Sequence, residues 1–254
     1  MNKEYFDALV RDRQESAKTL EKYSMRGAKS SVVDKYSEQA HFVYELLQNA
    51  DDANATYARF ILYRNRLLFI HNGTRHFSVS NPETEKEDGE KGMLGDVNAI
   101  TAVGASSKVE GNTIGKFGIG FKAVFQYTST PTIYDSEIFF GIERFIVPVL
   151  LEKDHRMRKK EETLFEFPFN HETTTPETAF EEISERLTSL VNPTRFLSNL
   201  QEIRFEYDDI KGSYSKEIMK SFAFEGTIAE KVLLKQIIND EIHERCQFNA
   251  AARS

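Results

Sequence analysis

The sequence predicts an α+β fold, and three observations carry that reading. A helix-period segment near the N-terminus is followed by paired apolar runs across a short polar turn. Further short strand-like runs lie between residues 131 and 169. A second helix-period segment, Pro176 to Leu190, then precedes another alternating run. Helical stretches mixed with antiparallel hairpins define that class.

The elements follow in order. Residues 1–30 read as a charged helix and a loop, with Ala8, Leu9, Ala17, Leu20 and Tyr23 as a sparse apolar stripe. A second helix is expected from about Asp34 to Ala50, with Val43, Leu46, Leu47 and Ala50 on its apolar side. Thr56–Tyr63 and Leu67–His71 are apolar runs across Arg64-Asn65-Arg66, which reads as an antiparallel hairpin. Nine of the 13 glycines lie between Gly73 and Gly120, so residues 74–114 read as a long loop interrupted by a short helix, Gly95 to Val103. Strands are expected at Pro131–Asp135, Ile138–Phe145 and Thr163–Phe169. Phe180, Ile183, Leu187 and Leu190 give the later helix its period. Ile203–Tyr207 alternates as a strand, and Tyr214–Phe224 completes a hairpin with it. The last thirty residues read as helical and then polar.

Composition bounds the functions. The chain has 254 residues, 40% hydrophobic and 29% charged, enough for one large domain with an appendage or two modest ones. A net charge of −7 does not advertise a nucleic-acid partner. The basic run Lys153–Lys160 is followed by Glu161-Glu162 and reads as a solvated loop. No apolar run reaches the roughly 20 residues that span a bilayer. The polar start Met1–Asp7 is unlike a secretory signal, and the single Cys246 has no internal disulfide partner. A cytoplasmic location with no membrane attachment is expected.

Two motifs carry chemistry. In Glu45-Leu46-Leu47-Gln48-Asn49-Ala50-Asp51-Asp52-Ala53, three polar residues recur at spacings of four and three. Glu45, Asn49 and Asp52 then share one helix face, within about 60° of one another. A carboxylate, a carboxamide and a second carboxylate in one row suit a metal-nucleotide site. The second motif, Gly115-Lys116-Phe117-Gly118-Ile119-Gly120-Phe121, places amides without Cβ obstruction at the start of a helix, an anion-binding arrangement. It is not a P-loop, because Phe117 stands where Ser or Thr is needed, and it is not a dinucleotide fingerprint.

The order of these parts resembles the GHKL ATPase superfamily, most nearly its sacsin-type branch. Glu45–Ala53, Ser106-Ser107-Lys108, Gly115–Phe125 and Thr163–Pro168 carry the resemblance, which covers about residues 32–170. It implies a two-layer α/β sandwich, with a mixed, mostly antiparallel sheet covered by helices on one face and a long ATP lid. It also implies three parts: a helical extension at 1–30, the ATP-binding domain at 31–172 and a C-terminal α/β extension at 173–254.

By the same resemblance Glu45 is the general base that activates water, and Asn49 holds Mg²⁺. Asp52 and Ala53 line the nucleotide pocket. His71-Asn72-Gly73 occupies the base-reading motif, where many relatives have aspartate at the position of His71. A neutral imidazole there could accept a hydrogen bond from the adenine amino group. Ser106, Ser107 and Lys108 close over the phosphates, the 115–121 segment binds them, and Thr163 closes the adenine pocket. Glu162 stands where the family has glycine. His41, one turn before Glu45, is an ordinary helix residue. The implied function is Mg·ATP binding with hydrolysis driving lid closure. The alternative is a nucleotide-gated interaction module of a larger protein, with little hydrolysis of its own. ATP or ADP, further domains, protein clients and an ATP-dependent dimer are the partners implied. A histidine kinase is disfavoured, since that branch has asparagine where Glu45 stands.

Overall fold

The computed structural model describes residues 1–25, 27, 42–103, 119–224 and 227–252. Within them the chain is α+β, built on one mixed ten-stranded sheet. The helices are α1 (Lys3–Leu20), α2 (Phe42–Asp52), α3 (Glu85–Glu90), α4 (Asp96–Thr101) and α5 (Pro176–Ser189). A 3-10 helix spans Ile119–Gln126. The strands are β1 (Tyr57–Tyr63), β2 (Arg66–His71), β3 (Thr132–Tyr134), β4 (Phe139–Glu143), β5 (Val147–Leu150) and β6 (Thr163–Pro168). They continue as β7 (Glu202–Tyr207), β8 (Ile210–Phe224), β9 (Thr227–Ile238) and β10 (Glu241–Ala252). Their spatial order is β10-β9-β8-β7-β1-β2-β6-β3-β4-β5. Every pairing is antiparallel except β1 with β7, which is parallel. The sheet therefore runs unbroken across residue 172.

Side-chain alternation divides the sheet into two faces. Phe60, Leu62, Leu67, Phe69, Phe165 and Phe167 share one core cluster with α1, α2, α4, α5 and the 3-10 helix. The intervening Ile61, Leu68, Ile70 and Leu164 form a separate small cluster on the other face, with Met157 and Tyr134 packed against it. Of the basic run, Met157 packs on that face and Arg158 is paired with Asp154, while Lys153, Arg156, Lys159 and Lys160 stay exposed. Among the described residues no helix is long and apolar enough to cross a membrane.

Most elements fall where the sequence places them, and three do not. The helix α3 (Glu85–Glu90) forms within a stretch that reads as loop. The expected strand Ile138–Phe145 ends at Glu143. Arg144 and Phe145 both take positive φ, 50° and 76°, and turn the chain into β5. Neither residue type signals such a turn. The last thirty residues are not helical: they form β9 and β10. The run Val232–Ile238 has helix-like apolar spacing, but Asn239 and Asp240 sit at φ 46° and 68° and close a tight hairpin. Residues 34–41 of the expected second helix lie outside the described residues, and α2 begins at Phe42.

Candidate functional site

The site is built around α2. Val43, Leu46, Leu47 and Ala50 are buried and fix the helix against the core. That orientation leaves Glu45, Asn49 and Asp52 as a row on one side, as the spacing predicts. Asn49 is itself buried. Asp52 has one carboxylate oxygen, Oδ2, that is buried without a hydrogen-bond partner. Burial, reinforced by the neighbouring charge of Asp51 and opposed by Arg75, pushes its carboxyl up to about 7.

Two close backbone approaches define the walls. A Cβ on Gly120 would overlap the carboxylate of Glu45, so the end of the glycine segment lies directly against the acidic row. At the other end of α2, a Cβ on Gly73 would fall 2.7 Å from Ala53 Cβ and 2.9 Å from the Ala53 carbonyl oxygen. That carbonyl accepts the N–H of Thr74 at 2.8 Å, which locks the β2 exit onto the helix end. At Gly73 the obstructing atoms include backbone, so only glycine fits there, whereas at Gly120 a side chain would have to displace the Glu45 carboxylate.

His71 is buried, and burial lowers its imidazole to about 4, so it is neutral. Its Nδ1 accepts the N–H of Gly73 at 3.0 Å. The ring hydrogen therefore sits on Nε2, which makes that atom a donor. The expectation of an accepting imidazole is thereby reversed. His71 faces Thr163 across the β2–β6 register. Thr163 Oγ donates to Asp135 at 2.7 Å. Asp135 also takes the Phe77 N–H at 2.8 Å and contacts His76 Nδ1 at 3.0 Å. With its hydrogen committed, the Thr163 hydroxyl has only lone pairs left to offer.

Other predicted residues do different work. Asn72 turns its carboxamide to the start of β1, accepting from the N–H groups of Thr56 and Tyr57 at 3.0 Å and donating to Thr56 Oγ at 2.8 Å. Phe121 places its ring in the aromatic core near Phe165 and Phe167, so the ring is a core group. Lys122 is buried and donates to the Phe145 carbonyl at 2.9 Å, which holds the β4–β5 turn. Glu162 alternates away from Thr163, takes the Tyr57 hydroxyl at 2.5 Å and pairs with Arg59. Glu162 therefore lies on the sheet's opposite face. Ser106, Ser107, Lys108, Gly115, Lys116, Phe117 and Gly118 lie outside the described residues, as does His41, and of Ile119 the structure describes the backbone alone.

Sequence reasoning missed Asp51. Its Oδ2 accepts the N–H of Ser198 at 2.9 Å, and Oδ1 accepts those of Asn199 and Leu200, both at 2.7 Å. Asn199 Nδ2 donates to the Asp51 carbonyl at 3.0 Å. A signal did exist, since Asp51 follows Leu47 by four on the buried side, where a carboxylate must find donors. A cavity of about 730 Å³ adjoins this segment, with Phe196, Leu197, Ser198, Lys216, Ile218 and Phe248 among its walls. None of the predicted site residues lines it.

Fold and site together define an α+β domain in which a carboxylate-bearing helix is packed against the end of a glycine-rich segment. Residues 25–143 match the Sacsin domain family, a span that holds Glu45, His71 and Gly120. The chain is 33% identical over 119 residues to Sacsin of Homo sapiens, covering 42% of this chain and 2% of that protein. It is 32% identical over 114 residues to Protein NO VEIN of Arabidopsis thaliana, covering 42% of this chain and 4% of that protein. This part of the chain is similar to both, and the chain spans a small fraction of the length of either relative.

Proposed function

We propose that the chain is an ATP-binding module of the GHKL type. Mg·ATP would lie between the Glu45/Asn49/Asp52 row and the glycine segment that ends at Gly120, with Glu45 activating water against the γ-phosphate. The observation that carries this reading is the contact of Gly120 with the Glu45 carboxylate, since phosphate amides and general base must meet at one point. The Sacsin-family match over the same residues supports the branch.

The donor set fits magnesium. A carboxamide one helical turn from a carboxylate leaves most of the coordination to water and phosphate oxygens, which Mg²⁺ prefers. Asn49 would hold the ion, and the ion when bound would neutralise phosphate charge. The protein's own groups do the rest. Glu45 takes the proton of the attacking water. Gly120 lets the backbone approach that carboxylate. Asp52, with an oxygen awaiting a donor, suits an amino group or water at the base end. His71 and Thr163 pair across β2–β6, and a base seated there would meet a donor at His71 Nε2 and an acceptor at Thr163 Oγ, a polarity that suits the N1 and amino edge of adenine and mismatches guanine.

Steady-state turnover tests the assignment. Glu45→Ala should still bind Mg·ATP while hydrolysis falls about 10²–10⁴-fold. Gly120→Ala should stay folded and lose about 10²-fold, because the added methyl pushes the carboxylate aside. Equal turnover in wild type and Glu45→Ala contradicts the general-base role. Binding without turnover in the wild type favours the nucleotide-gated interaction module.

A further inference from the structure

Asp51 and Asp52 are adjacent on α2 and so point about 100° apart. Asp52 belongs to the nucleotide row. Asp51 is buried and gripped by three consecutive amides of a segment nearly 150 residues away in sequence. Phe196 is 81% exposed, so the front of that segment gains little from burial, and it is held at 198–200. The next links lead outward. Lys216 on β8 donates from Nζ to the Leu197 carbonyl, and its N–H donates to the Gln201 carbonyl at 2.8 Å. Leu197, Ser198 and Lys216 are also walls of the 730 Å³ cavity. The last turn of α2 therefore cannot shift or turn without pulling on this chain of bonds.

We propose that Asp51 is a positioning residue that couples the nucleotide face of α2 to the 196–201 segment, β8 and the cavity between them. The proposal rests on the Mg·ATP reading above. Nucleotide bound on one side of α2 fixes the last turn of the helix. Asp51 passes that order to the three amides, and the Leu197–Lys216 link passes it to β8. Coupling of this kind is reciprocal, so a partner seated in the cavity would alter nucleotide affinity by the same factor.

Amide hydrogen exchange on the full chain, with and without Mg·ATP, tests it, with binding measured separately by calorimetry. Mg·ATP should slow exchange at Ser198, Asn199 and Leu200 about tenfold in the wild type. Asp51→Asn keeps the side-chain size but replaces one acceptor by a donor. It should retain Mg·ATP binding and lose the nucleotide response at these amides, while β1 and β2 keep native protection. Lys216→Met, cut at the far link, should keep the response at 198–200 and lose it on β8, which tests the route even if Asp51→Asn does not fold. Binding with no change at 198–200 in the wild type overturns the coupling and leaves the ATP reading intact. An undiminished response in Asp51→Asn, or on β8 in Lys216→Met, overturns it as well. No Mg·ATP binding by the wild type removes the ATP reading, and the coupling falls with it.

Discussion

Asp52 and His71 are both perturbed by burial, and their effects on stability oppose one another. Asp52 rises from 3.8 to about 7, so over that interval the folded state holds a proton that the unfolded chain has lost, and stability falls as pH rises. His71 falls from 6.5 to about 4, so between those values the unfolded chain holds the extra proton, and stability rises with pH. The wild type shows the two partly cancelled. Asp52→Asn should gain stability more steeply than wild type from pH 4 to 6.5, and His71→Asn should lose stability over the same range, both read from urea unfolding at several pH values. Reversed slopes would mean that the burial assigned to these groups is wrong. Legibility at this scale was uneven. The Glu45/Asn49/Asp52 row follows from helical spacing alone. The His71 tautomer does not, because it depends on the Gly73 N–H two residues on. The Asn72 carboxamide is spent on Thr56 and Tyr57, sixteen and fifteen residues upstream, a pairing that exists only once the hairpin has formed.

The site works at the level of elements because α2 is clamped at both ends of its functional row. Gly120 meets Glu45 at one end, and Gly73 meets Ala53 at the other. Gly73→Ala would press a methyl onto backbone as well as side chain, and should cost about 1–3 kcal/mol in urea unfolding. A neutral result would mean that the β2 exit is not fixed to α2 as described. The β1–β2 hairpin was readable because two apolar runs flank a short polar turn, and α5 because its apolar residues recur at three and four. The β9–β10 hairpin was not. Its apolar spacing suits a helix, and the Asn239-Asp240 turn that overrides it is a two-residue signal. The β4–β5 turn carries no sequence signal of its own, since Arg144 and Phe145 adopt positive φ within a packed setting that includes the Lys122 bond to the Phe145 carbonyl.

At the scale of the whole molecule, the parallel pairing of β7 with β1 joins the Sacsin-matched part of the chain to its C-terminal strands in one sheet. That pairing is non-local, and no short-range pattern announces it. It places the 196–201 segment beside the end of α2, and so gives Asp51 its partners. Every role given to α2 depends on Mg·ATP binding along the Glu45/Asn49/Asp52 row. Calorimetric titration of the chain with ATP, with and without Mg²⁺, in wild type and Asn49→Ala, tests it most directly. The wild type should show saturable one-site binding that depends on Mg²⁺, and Asn49→Ala should lose that magnesium dependence. No binding by the wild type, or identical magnesium-dependent binding in the variant, would contradict it.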